Sequence, residues 1–338
     1  LTASEPSCSG SRAKQLRRWL GLAGRLAISV GILAWLIRRT DWEPLVLLFR
    51  GARLDLFFVA LGLYCLAQVI SSYRWQLLAR AVGFTTPLTR LVALYFVGMF
   101  FNLFLPTSMG GDVVRAWLLA GGPGRRWQAV LSVFSERFAG LMMLLALACL
   151  ASGVNVHVLP WWSLGLVWGA TATGIGLVLL LPILGRRFQR FREMTHALSL
   201  YRSQRRTLAN VSLLSLIIQV AGILQVWILS HALGMQVPLT AFAVVVPLVT
   251  LLTLLPISVN GVGVREGFLM LLLAPVGVSA AQAVALGLLW LTMLAVASLI
   301  GGIVFVAGGF TREYREEQRG PVCCHSDQGR TGQPASAA

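Results

Sequence analysis

LPTSMGGDVVR (105–115) and LPISVNGVGVR (255–265) are two versions of one stretch. Both fit Leu-Pro-x-Ser-x-x-Gly-x-x-x-Arg. Pro106, Ser108, Gly111 and Arg115 recur as Pro256, Ser258, Gly261 and Arg265. Each copy follows a long apolar run (88–104 and 239–254). Each precedes a short one (113–120 and 267–274) that ends at Gly or Pro. Identical spacing within matching hydropathy points to an internal duplication. Such Gly/Pro-interrupted apolar segments, in corresponding positions of two halves, mark the binding site of many transporters.

Composition sets the class. The chain has 338 residues, 57% of them hydrophobic and 12% charged, with a mean hydropathy of +0.77. Soluble domains carry about 25% charged residues. Several apolar runs exceed the length that crosses a bilayer, so a polytopic all-α membrane protein is expected. The net charge is +16, nearly all from arginine, and Lys14 is the one lysine. The cations fall between apolar runs, where they orient a membrane chain. No nucleic-acid motif is present. Cys8, Cys65, Cys149, Cys323 and Cys324 form no CxxC pair, which gives neither a zinc site nor a disulfide framework. No metal-ligand spacing, GxSxG, HExxH or Walker A pattern occurs, so no metal, cofactor or ATP-driven step is expected within the chain.

The expected order starts with a basic cytoplasmic arm (1–19) and a retained first span (20–37). A short polar link (38–53) and a second span (54–72) follow. Next come the first motif region and spans at 129–150, 161–184 and 208–232. The second motif region, a last span at 280–307 and a disordered cytoplasmic tail (308–338) complete the chain. The halves of the repeat cover about 20–150 and 160–307.

Charge discriminates between topologies. If the 88–104 and 239–254 runs crossed fully, the seven-arginine link 185–207 would lie outside, against the positive-inside rule. If each motif is instead the tip of a re-entrant hairpin, the arm, 73–90, 121–128, 185–207 and the tail are all cytoplasmic. That places 20 Lys/Arg inside and only Arg38, Arg39, Arg50 and Arg53 outside. The expected fold is therefore about six full spans plus two re-entrant hairpins. The hairpins enter from opposite sides as an inverted repeat, with both termini on the cytoplasmic side of the inner membrane. Irregular backbone at the tips is tolerated only where protein or a watery cavity surrounds it.

The candidate site follows from that placement. Helices starting at the tips direct free N–H groups and a positive dipole end toward mid-membrane, which suits phosphate or carboxylate. Gly111 and Gly261 let the backbone approach a ligand, and Ser108, Ser258 and Asn260 add polar groups beside it. Arg115, Arg265 and Arg137 offer guanidinium forks suited to a phosphodiester. Asp112, Glu136 and Glu266 are candidates for counter-charge or for ion coupling. The plainer alternative is mutual neutralisation. Asp112 and Arg115 stand at i, i+3 and can pair locally, whereas adjacent Arg265 and Glu266 point in different directions.

FNLFLPTSMGGDVVR (101–115), SERFAG (135–140) and PISVNGVGVREG (256–267) resemble the lysylphosphatidylglycerol synthase transmembrane-domain family, also called flippase-like domain proteins. The resemblance covers about 20–307. It implies translocation of a lipid: an anionic or aminoacylated phospholipid, or a polyprenyl-phosphate glycolipid. In longer family members a soluble C-terminal domain makes the aminoacylated lipid. Only about 30 residues follow the last span here, so a stand-alone member is expected, with any synthase or glycosyltransferase as a separate partner. Two other readings compete. In a glycosyltransferase using a lipid-phosphate sugar, Asp41 and Glu43, flanking Trp42, would be the external acids, and Asp41→Asn would abolish sugar transfer. In a non-transporting partner subunit of an envelope-lipid synthase, deletion would silence the partner.

Overall fold

A computed structural model describes residues 42–104, 110–154, 164–165, 167–176, 180, 205–254 and 261–307. The expected first span, most of 161–184, the link 185–204, both motif tips and the tail lie outside the described residues. Nine helices carry the description: α1 Trp42–Arg50, α2 Leu54–Ala81, α3 Leu88–Phe104, α4 Gly110–Ala120, α5 Arg126–Val154, α6 Arg205–Ala232, α7 Leu239–Leu254, α8 Val264–Leu273 and α9 Ala280–Ala307. Four of them, α2, α5, α6 and α9, are long and apolar enough to cross a membrane. At 28 residues a helix runs about 42 Å, beyond the ~30 Å hydrocarbon core. The chain is an all-helical, multi-pass membrane protein over its described residues.

The helices form two series of four with matching lengths: α2, α3, α4, α5 and α6, α7, α8, α9. The joints match as well. α2 ends where Gly83 (φ 92°) reverses the chain: Gly83 N–H donates to Arg80 O and Phe84 N–H to Ala79 O, both at 3.0 Å. α6 ends the same way at Gly234 (φ 71°), with Gly234 N–H on His231 O and Met235 N–H on Ser230 O, again at 3.0 Å. This is the helix-ending motif that needs a left-handed residue, which glycine supplies without steric cost. The residue after each glycine, Phe84 or Met235, is buried. Pro87 and Pro238 then precede α3 and α7. Behind these geometries is a second repeated phrase, GFTTPLT (83–89) and GMQVPLT (234–240).

α3 and α4 form one hairpin. The Gly98 backbone lies against Gly111, and Gly111 N–H donates to Asn102 Oδ1 at 2.7 Å. A Cβ on Gly111 would sit 1.7 Å from Gly98 O, so only glycine permits this approach. α7 and α8 form the equivalent hairpin, and Gly261 (φ 74°) abuts Thr253. α2 and α6, the first members of the two series, make the most extensive helix contact and run antiparallel. Arg53 N–H donates to Ala232 O (2.8 Å) at one end, and Arg74 Nη1 donates to Ser215 Oγ (2.8 Å) further along. Leu78 and Val211 share a small core with Leu131 beyond that point. Other contacts come in matched pairs: α3 packs on α9 as α7 packs on α5, and α2 on α5 as α6 on α9. Gly301 permits the tightest of these crossings, with its Cα against Phe96 O.

Two expectations need correction. The polar link 38–53 contains helix α1, whose Leu45 is buried against the core while Val46, Leu47 and Phe49 are exposed. Glu43 lies in its first turn, where a carboxylate complements the helix dipole. The second span does not stop at 72. It continues to Ala81 because Ser71, Ser72, Arg74 and Gln76 are buried in contact with the protein. Arg74 is therefore a residue of the helical interior, not of the cytoplasmic link 73–90.

Candidate functional site

The charged residues of the first hairpin converge on Glu136. It sits in α5, one of the four helices long enough to cross a membrane, about 15 Å along the axis from the helix start. Glu136 Oε1 accepts a short hydrogen bond from Arg74 Nη2, and Oε2 accepts one from Arg115 Nη2 at 2.6 Å. All three side chains are at most 5% exposed. One carboxylate thus joins α2, α4 and α5, and the Arg74–Ser215 bond extends the network to α6. Gly140, one turn along α5, leaves the room that the Arg74 guanidinium fills.

Arg115 is further enclosed. Its guanidinium carbon lies 4.9 Å from the Trp75 ring centroid and 4.7 Å from that of Tyr95. Trp75 is itself fixed by a 3.1 Å bond from Nε1 to Ser132 Oγ. Arg115 Nε also lies 3.2 Å from Asp112 Oδ1, an ion-pair contact without hydrogen-bond geometry. Asp112 serves mainly Arg137, whose Nε and Nη2 reach its two oxygens at 2.8 Å each. Arg137 differs from the others in leaving 48% of its side chain exposed. A charge at the centre of a membrane span costs about 2.5–3.5 kcal/mol on the insertion scale unless it is paired or wet. Arg137 has a paired fork on one side and an open side on the other.

The second hairpin is built differently. Arg265 and Glu266 lie in the first turn of α8, 7% and 0% exposed. Glu266 turns back to cap its own helix, accepting the Gly263 N–H at Oε2 (2.7 Å). Gly287 of α9 leaves the space its side chain occupies. Arg265 Cζ lies over the Trp290 ring, 4.9 Å from its centroid. Among the described residues its Nε and Nη1 have no hydrogen-bond partner, nor has Glu266 Oε1. The two neighbours therefore do not hydrogen-bond to each other, consistent with side chains at adjacent helical positions pointing apart.

Of the residues singled out from the sequence, the structure brings Arg115, Arg137, Asp112 and Glu136 into contact. Gly111 and Gly261 are at the hairpin tips. Ser108, Ser258 and Asn260 lie outside the described residues. Arg74 was missed, although the repeated glycine at 83 would have carried α2 past it. Trp75, Tyr95 and Trp290, the aromatic faces of the site, were missed too, because nothing in an apolar run distinguishes them from lipid-facing neighbours. Among the described residues no group of His, Cys, Asp or Glu has the arrangement of a metal site.

The family described as the lysylphosphatidylglycerol synthase TM region matches residues 22–318. The chain belongs to this family. As a lysylphosphatidylglycerol synthase TM-region protein it is a lipid-related transmembrane domain, and both hairpins and the whole charged cluster lie within the match. No curated protein matches the chain.

Proposed function

We propose that the domain is a lipid translocator of the inner membrane, built as an inverted repeat around an anionic-headgroup site. The carrying observation is the buried, paired charge network that joins the first hairpin to the membrane-spanning helices α2, α5 and α6, with one half-exposed arginine, Arg137. A bundle needing only to be stable gains little from such a network, since buried ion pairs seldom improve on apolar packing. Its location where the helices are interrupted suits a polar group passing through the membrane.

The inverted arrangement is supported by the antiparallel pairing of α2 with α6 and by the matched joints at Gly83 and Gly234. Charge supports the orientation. Arg80, Arg90, Arg125, Arg126, Arg205 and Arg206 gather toward the ends of helices on one side, and Arg125 bonds to Gly83 O (2.5 Å) across the two turns there. That side is the cytoplasmic one under the positive-inside rule. The reading then has about six full spans and two hairpins, which are too short to cross on their returning arms: α4 and α8 reach only about 15–17 Å. Alternating tilting of the halves exposes the site to one leaflet and then the other. The cargo is an anionic or aminoacylated phospholipid, or a polyprenyl-phosphate glycolipid, supplied by a separate synthase. The chain itself performs no covalent chemistry.

Reconstitution tests this directly. Vesicles containing the purified protein and fluorescent phosphatidylglycerol are treated with dithionite, which quenches only the outer leaflet. Protein-dependent loss of the protected half is the expected result. Protection identical to that of protein-free vesicles, across anionic, aminoacylated and polyprenyl-phosphate lipids, counts against translocation.

A further inference from the structure

The repeat makes the two arginines comparable, and the comparison exposes a difference. α5 begins at Arg126 and α9 at Ala280, and Glu136 and Trp290 stand at the same register in them. α2 begins at Leu54 and α6 at Arg205, and Arg74 and Gln225 share a register there. The first half therefore closes Arg115 with a carboxylate that a second arginine also grips. The second half has an indole where that carboxylate would be and an amide where that second arginine would be. Gln225 is buried, and its Oε1 lacks a partner among the described residues.

Arg265 Cζ lies over the Trp290 ring, 4.9 Å from its centroid. Such a cation–π contact stabilises a guanidinium without using its N–H groups, which remain for a fork of hydrogen bonds. Those groups, Nε and Nη1, are the ones without partners among the described residues, on a residue only 7% exposed. Glu266 makes no hydrogen bond to them, and its Oε2 accepts the Gly263 N–H. A buried cation with unmet donors is costly unless something anionic completes it.

We propose that the halves have divided roles: Arg115 is a closed structural clamp, and Arg265 is the open receptor, taking a ligand phosphate or phosphodiester oxyanion where the first half has Glu136. This deepens the translocator reading and rests on it for the lipid as source, since a free phosphate presents the same oxyanion. The cargo is then held principally by the second hairpin, and the first serves as the rigid side of the cavity.

The test puts the missing carboxylate back. Trp290→Glu gives Arg265 an internal partner like that of Arg115, and Arg265→Gln removes the receptor without adding charge. Purified protein in neutral detergent is titrated calorimetrically with short-chain phosphatidylglycerol, with diacylglycerol of the same chains and with inorganic phosphate. Binding of phosphatidylglycerol but not diacylglycerol is expected, weakened at least about tenfold in each variant, the size of one lost charge-assisted contact. Far-ultraviolet dichroism and melting identify a variant that fails to fold, and Arg265→Gln alone then carries the comparison. Inorganic phosphate competing as well as the lipid would make a free anion the ligand; the Arg265 receptor would stand and the lipid reading would fail. Phosphatidylglycerol bound equally by the wild type and both variants would overturn the receptor. Translocation persisting in those variants would still leave the translocator reading in place.

Discussion

Glu136→Gln removes one negative charge and hardly any volume, yet it leaves two buried arginines without their shared partner. In the wild type Arg74 and Arg115 meet opposite oxygens of this carboxylate, with all three side chains at most 5% exposed. After the change Arg74 keeps only Ser215 Oγ, and Arg115 keeps Asp112, whose oxygens are already engaged by Arg137. Removing one member of a buried pair costs about 3–5 kcal/mol, because the remaining charge stays desolvated. At about 1.4 °C per kcal/mol for a chain of 338 residues the melting temperature falls by about 4–7 °C. Differential scanning fluorimetry in detergent reads this directly, and the loss should change little between low and high salt, since buried pairs are screened weakly. Removing Arg74 in the Glu136→Gln background should recover part of the loss, because one uncompensated cation goes with it. A Glu136→Gln protein melting within about 2 °C of wild type would refute the clamp, since no buried pair of this geometry is that cheap to break.

Other expectations concern the backbone. Gly111→Ala places a Cβ 1.7 Å from Gly98 O, backbone against backbone, so the α3–α4 hairpin must open; a loss of about 1–3 kcal/mol in denaturant or thermal unfolding is expected. Gly83→Ala and Gly234→Ala each meet open space, so their cost is that of the left-handed conformation alone. Each should lose about 1–2 kcal/mol, and the two losses should agree in the same melting assay if the turns are true equivalents.

Where the sequence was readable, the signal was a breaker beside an apolar run. The runs 88–104, 239–254 and 280–307 are helical as α3, α7 and α9, and Pro87 and Pro238 stand just before the first two. Where the reading failed, polarity was taken as exposure. Ser71, Ser72, Arg74 and Gln76 look like the end of a membrane span, and they are interior because Glu136, Ser132 and Ser215 on neighbouring helices meet that stretch of α2. A pairing between residues 62 positions apart has no local signature. α1 was missed for the opposite reason: its few apolar residues make too short a run to stand out from a link. The charges of the site were legible as charges. Their division into a closed cluster and an open arginine was not, since it turns on Glu136 and Trp290 sharing a register that only the aligned helices reveal.

The account depends on the two halves facing opposite sides of the membrane. The turns at 82–87 and 233–238 are equivalent in the repeat, which makes them the sharpest probes. Single cysteines replacing Thr85 and Gln236, in a background lacking the native cysteines, are treated with a membrane-impermeant maleimide in intact and in opened cells. The inverted arrangement predicts that the cysteine at 236 labels in intact cells, while the one at 85 labels only after the cells are opened. Labelling of both positions from the same side would contradict the inverted repeat, and with it the alternating site between the hairpins.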